Sequence, residues 1–431
     1  MSEAAADRPS LRQRLRSVAR LSQLGPGLIT GAADDDPSGI ATYSQSGAQF
    51  GFGLLWTLVL TFPLMAAIQL VSAHIGRVTG QGLARNMAGV MPRYLVTGLV
   101  GLLFLANTIN VGADVAAMGE AAKLVVGFGA HEFTILFAVT SVLLQMFVSY
   151  KRYARLLTVL TLSLLAYVAV VFMLKLNWAD IGLGVIGLHT HLSKDAATTI
   201  VAIFGTTISP YLFFWQSSEE VEELNHHPSE HPLREKPDEA PRAFARMRID
   251  TVVGMAVSNI VGLAIMISTA ATLHAAGKTD IQTAADAARA LEPLADKFAF
   301  LLFSLGIIGT GLLAIPVLAG SAAYAVGETR GWKTGLDNKP WEAVGFYSVI
   351  GAAVALGLVI DYSGLDPIKA LYWSAVVNGV IAVPMMAAMM VVAGNKRKMG
   401  EFTAGPTLSI LGWVSTAVMA AATITMVYVS L

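Results

Sequence analysis

Apolar residues in this chain come in runs of roughly 20, the length a helix needs to cross a bilayer core. LLWTLVLTFPLMAAIQLVSA, LLTVLTLSLLAYVAVVFML and LGWVSTAVMAAATITMVYVSL approach or exceed that length with no charged residue inside them. Together with the polar and breaker-rich stretches between the runs, the pattern predicts eleven membrane helices. Their expected limits are 24–46, 52–73, 94–118, 132–149, 154–176, 197–223, 249–273, 299–326, 341–361, 367–393 and 407–430. A tail at 1–23 and a charged loop at about 224–248 stay outside the membrane. The spans then form a group of five at 24–176, a second five at 197–393, and a last helix at 407–431.

Composition agrees with an all-α integral membrane protein whose first partner is the lipid bilayer. Of 431 residues, 55% are hydrophobic and 13% charged, against about 25% charged in an average soluble chain. Lys and Arg balance Asp and Glu at 29 each, which argues against nucleic acid as a partner. The lack of Cys excludes disulfides, thiolate metal sites and cysteine catalysis. The basic residues also orient the chain. With the N-terminus cytoplasmic and the C-terminus outside, 22 of the 29 Lys and Arg fall on the cytoplasmic side, as the positive-inside rule requires. The polar start, MSEAAADRPSLRQRLRSVARL, has no signal-peptide core and is expected to be a retained cytoplasmic tail.

Two spans carry interruptions. In LITGAADDDPSGIATYS, Pro37 removes a backbone donor and Gly39 relaxes the helix beside the Asp36 carboxylate. In IFGTTISPYLFFW, Pro210 follows Thr206, Thr207 and Ser209. Unpaired backbone at membrane depth survives only where it lines a cavity or binds something. A mid-membrane carboxylate costs at least about 2.5 kcal/mol and is usually kept for an ion or proton. Breaks in spans one and six fit a five-plus-five inverted repeat, the LeuT-type transporter plan, with the eleventh helix outside the repeat. The atoms offered are the Asp36 carboxylate, released carbonyls near Gly39 and Thr206, and the Thr207 and Ser209 hydroxyls. All are hard oxygens, suited to Mg²⁺, Ca²⁺ or Mn²⁺ rather than thiophilic metals.

At these residues the sequence resembles the NRAMP family of divalent-metal transporters. GPGLITGAADDDPSGIATYSQSGAQFGFGLLW is similar to its first-helix signature, and IFGTTISPYLFFW to its sixth. The resemblance implies that Asp36 is a metal ligand and that Thr206 supplies a carbonyl. Gly39 stands where the family has asparagine, Ser209 replaces its methionine, and Tyr211 replaces its histidine. In LANTINVGADVAAMGE, Asp114 matches a family aspartate, but its companion acid is Ala117, and the ninth span lacks the answering arginines. This pattern is similar to the NRAMP-related magnesium transporters, which implies partly hydrated Mg²⁺, with Mn²⁺ also accepted, moved without coupled protons.

Several other polar residues are candidates for the ion's path. Asn107, Asn110 and Asp114 share one helix face, as a wet path or as a packing seam. In SSEEVEE, Glu219, Glu222 and Glu223 either line an inner vestibule or form a solvated helix end, with Glu219 the first candidate. Asn378 serves either the ion's water shell or the bundle as a structural amide. The histidines of NHHPSEHP are expected to sit in a solvated linker. Two rival functions remain: a proton-coupled Mn²⁺/Fe²⁺ carrier, and a carrier of an organic cation or amino acid with the same fold. An enzyme is not expected, since HExxH, GxSxG and a paired-aspartate motif are missing. No cofactor is expected beyond the transported ion, and the chain is expected to act as a monomer in a bacterial-type inner (plasma) membrane.

Overall fold

A computed structural model of the chain describes residues 26–148, 162–188, 190, 193–226, 230–362, 364 and 366–431. The tail at 1–23, the basic run YKRYAR and the start of the fifth expected span lie outside the described residues. Every regular element among those described is helical. We label the main helices α1 (Pro26–Asp34), α2 (Pro37–Phe50), α3 (Leu55–Thr79), α4 (Arg93–Val126), α5 (Ala130–Phe147) and α6 (Leu165–Met173). They continue with α7 (Lys194–Thr207), α8 (Pro210–His226), α9 (Ala240–Thr269), α10 (Ala299–Arg330), α11 (Val344–Asp361), α12 (Pro367–Ala393) and α13 (Pro406–Ser430).

Eight segments among the described residues are long and apolar enough to cross a membrane, counting α7 and α8 as one. The other three expected spans correspond to the divided α1–α2 segment and the shorter apolar helices Leu162–Met173 and Val344–Val359. Helices tend to outrun the apolar windows. α4 continues to Val126 because the chain stays helical until Gly127, at φ 94°, turns it left-handed. α9 starts at Ala240 rather than near 249, and Leu233 before it is fully buried. The 224–248 segment is therefore not solvated throughout. Leu233 and Arg234 donate backbone hydrogen bonds of 3.2 Å to Arg77 and Val78 carbonyls at the end of α3.

The two broken segments sit inside the bundle. α1 packs on α8 while α2 packs on α7, so the segments run antiparallel. α9 lies along both halves of the first segment, and α12 and α4 close the other side. Basic loops gather at one end of the bundle. Arg77 pairs with Glu230, Arg246 with Glu220 at 2.7 Å, and the Arg85 N–H donates to Glu328 at 3.2 Å.

Candidate functional site

Both interruptions fall where the proline chemistry puts them. α1 ends at Asp34 and α2 starts at Pro37, which has no N–H to lose in the first turn of a helix. Asp36 is the N-cap of α2, with extended backbone at φ −69° and ψ 169°. Its Oδ1 accepts the Gly39 N–H at 2.7 Å and the Ser38 hydroxyl at 2.8 Å. That leaves Oδ2 facing across the bundle. There the Asn110 amide donates to it at 3.0 Å, and the Tyr211 hydroxyl at 3.3 Å. Asn110 is held in turn by Ser374 of α12, whose hydroxyl donates to its Oδ1 at 2.7 Å.

The second break opens beside the first. α7 ends at Thr207 and α8 begins at Pro210. A Cβ added to Gly39 would lie 3.1 Å from Thr206 Oγ1, so Gly39 faces the second break directly. Thr206 Oγ1 is buried, with the Tyr43 hydroxyl as its side-chain neighbour. Ser209 turns its hydroxyl onto the released carbonyls, donating toward Gly205 at 2.7 Å and Thr206 at 2.9 Å. Thr207 points away, its hydroxyl donating to Ile203 in its own helix at 2.8 Å. Asp36, Gly39, Thr206, Ser209, Tyr211 and Asn110 therefore converge, and Thr207 does not.

The remaining candidates are separated by packing. Asn107 spends its amide on α10, donating to the Leu318 carbonyl at 2.7 Å and Ser321 Oγ at 2.9 Å. That is a contact between helices α4 and α10. Asp114, one turn beyond Asn110, is fully buried and neither carboxylate oxygen has a hydrogen-bond partner. Asn378 is likewise buried with both amide atoms unpartnered. Glu219 is buried in α8, on the side of Tyr324 of α10. Glu222 has turned to α10 and the loop after it, accepting the Tyr324 hydroxyl and the Leu336 N–H.

Two features escaped the sequence reading. Ser374 braces Asn110, and nothing in the local pattern LYWSAVVNG marks it. Asp34 and Asp35 do not share the direction of Asp36. Ser258 Oγ on α9 lies 2.5 Å from Asp34 Oδ2 and 3.0 Å from Asp35 Oδ1.

Chemically, the cluster presents one carboxylate, hydroxyls, amides and released carbonyls, and no sulfur or imidazole: Asp36–Gly39 and Thr206–Tyr211 contain no Met, Cys or His. Such a donor set suits a hard cation that keeps part of its water shell.

Comparison with known proteins adds an independent line. Residues 27–429 match the family described as Natural resistance-associated macrophage protein-like, Nramp. The divalent metal cation transporter MntH of Pectobacterium carotovorum subsp. carotovorum (strain PC1) is 26% identical over 406 residues, covering 93% of this chain and 92% of its own. MntH of Yersinia pestis (strain Pestoides F) is 27% identical over 414 residues, 93% of each chain. The crystal structure of the Eremococcus coleocola manganese transporter with an aromatic bis-isothiourea substituted compound superposes with TM-score 0.73 at 16% identity, covering 97% of this chain and 88% of that one. Mhp1, a nucleobase-cation-symport-1 family transporter, superposes with TM-score 0.58 at 13% identity, covering 94% and 93%. At these identities the superpositions speak for the fold alone.

Proposed function

The chain belongs to the Nramp family, and on that premise we propose that it carries divalent metal ions by alternating access, with partly hydrated Mg²⁺ as preferred cargo and Mn²⁺ also accepted. Members of this family are multi-pass membrane transporters of metal ions, not enzymes. The observation that carries the reading is the pair of adjoining breaks, with Asp36 Oδ2 turned toward Asn110 and Tyr211 and Thr206 Oγ1 beside Gly39. Asp36, Gly39, Thr206 and Ser209 would contact the ion or its water shell. Asn110, Tyr211, Asp114, Asn378 and Glu219 would mark its route, while Thr207 and Asn107 serve packing. A site with one carboxylate and no thioether gives a transition metal little advantage over Mg²⁺.

Proton coupling needs a chain of acids with a basic partner. Asp114 has no hydrogen-bond partner, and α11 carries no Lys, Arg or His. We therefore read the carrier as uncoupled. In proteoliposomes loaded with a pH dye, millimolar Mg²⁺ should compete with Mn²⁺ entry, and the luminal pH should not move. Strong Mn²⁺ preference with acidification of the lumen would reverse both conclusions in favour of a proton-coupled Mn²⁺/Fe²⁺ carrier.

The missing sulfur makes a second prediction. Ser209→Met is expected to strengthen Cd²⁺ inhibition of Mn²⁺ uptake on the order of tenfold, equivalent to about 1.4 kcal/mol. Unchanged Cd²⁺ inhibition, in a variant that still transports Mn²⁺, would place residue 209 outside the ion's reach.

A further inference from the structure

We propose that Glu222, His226 and Asp337 form a second metal site at the basic end of the bundle, which takes a first-row transition metal such as Zn²⁺ and pins α8 to the loop between α10 and α11. One ligand atom from each of the three lies within 4.8 Å of the other two. Glu222 and His226 are four residues apart on α8, so one helix face presents both. Asp337 comes from the loop after α10, and its Oδ2 meets His226 Nε2.

The site is braced rather than casual. Glu222 Oε1 accepts the Tyr324 hydroxyl from α10 and the Leu336 N–H at 3.2 Å. Gly335, at φ 124°, brings the loop so close that a Cβ there would stand 2.8 Å from Glu222 Oε1. Such outer partners orient a metal-ligating carboxylate. The sequence places this histidine in a solvated linker, but α8 stays helical through His226.

An imidazole with two carboxylates selects differently from the oxygen site at the breaks. Imidazole suits Zn²⁺, Fe²⁺ and Ni²⁺, whereas Mg²⁺ prefers oxygen and water. Because α8 is half of a broken segment, a metal tying it to the α10–α11 loop acts as a brake on the cycle. The brake rests on the transport reading; the metal site does not.

Calorimetry with ZnCl₂ on the purified full chain tests the site, in an Asp36→Ala background that removes the proposed transport ligand. One Zn²⁺ should bind, and adding His226→Ala or Asp337→Asn should weaken it by at least about tenfold, a loss that even outer partners produce at metal sites. No Zn²⁺ binding, or an affinity that neither variant changes, overturns the site. In proteoliposomes, Zn²⁺ should slow Mg²⁺ uptake by the parent protein, and His226→Ala should transport like the parent without Zn²⁺ yet escape much of its effect. Equal Zn²⁺ inhibition of parent and His226→Ala overturns the brake. If the parent protein does not move Mg²⁺ while Zn²⁺ still binds, the transport reading has failed and the site stands.

Discussion

Asp36→Asn is expected to lower Mg²⁺ and Mn²⁺ uptake by at least about 100-fold, equivalent to about 2.7 kcal/mol, in a protein that still folds. The two oxygens of Asp36 have separate tasks. Oδ1 caps α2 through Gly39 and Ser38, while Oδ2 faces the second break. Asparagine keeps a cap acceptor, and Asn and Asp are about equal at that position. The negative charge is lost, and with it the strongest attraction available to a cation, while the amide NH₂ that replaces Oδ2 can no longer accept from Asn110 and Tyr211. Asp36→Ala removes the cap as well, costing roughly 0.5–2 kcal/mol of stability. The two variants should therefore be equally inactive but differ in melting temperature. Uptake measured beside thermal unfolding in detergent decides it. An Asn variant that transports normally would mean the charge at position 36 is dispensable, and the ion-site reading would fall.

The second large effect concerns folding. Gly205→Ala is expected to cost the full chain about 1–3 kcal/mol or more, with a lower melting temperature and a poor yield of folded protein. A Cβ at 205 would stand 2.0 Å from the Ala375 carbonyl and 2.4 Å from the Gly379 N, both backbone atoms of α12. Neither can rotate away, so α7 would have to leave α12. From the other side, a Cβ on Gly379 would stand 2.6 Å from the Val201 carbonyl. Small residues at such contacts let membrane helices approach until their backbones touch. Gly101→Ala in α4 is the control. Nothing lies within 4 Å of its Cβ, and replacing a mid-helix glycine there should be neutral or stabilising by roughly 0.5–1 kcal/mol. Equal melting temperatures for the two variants would remove the contact from any role in stability.

Much of this was legible beforehand because the deciding constraints are local. Proline alone does not break these helices, since α3, α10 and α12 run through Pro63, Pro316 and Pro384, but the small and polar residues around Pro37 and Pro210 marked those two positions from the residues alone. Apolar length set the spans, but not their ends, because a helix continues past the hydrocarbon until a residue such as Gly127 stops it. Asn107 and Asn110 looked alike. They lie on one face, and only the neighbours distinguish them: α10 takes the Asn107 amide, and Asp36 takes that of Asn110.

What the sequence determined by itself was the membrane class, the helical plan, the two breaks and the hardness of the atoms at them. Each follows from composition or from the covalent chemistry of a few neighbouring residues. What only the tertiary structure decided was which of those atoms meet. Thr206 turns toward Gly39 while Thr207 turns back on its own helix, Asp34 and Asp35 turn to Ser258, and His226 finds Asp337. Those pairings depend on how helices far apart in sequence rotate and pack against one another, and that rotation is fixed by close contacts such as Gly205 on α12, which no local pattern encodes.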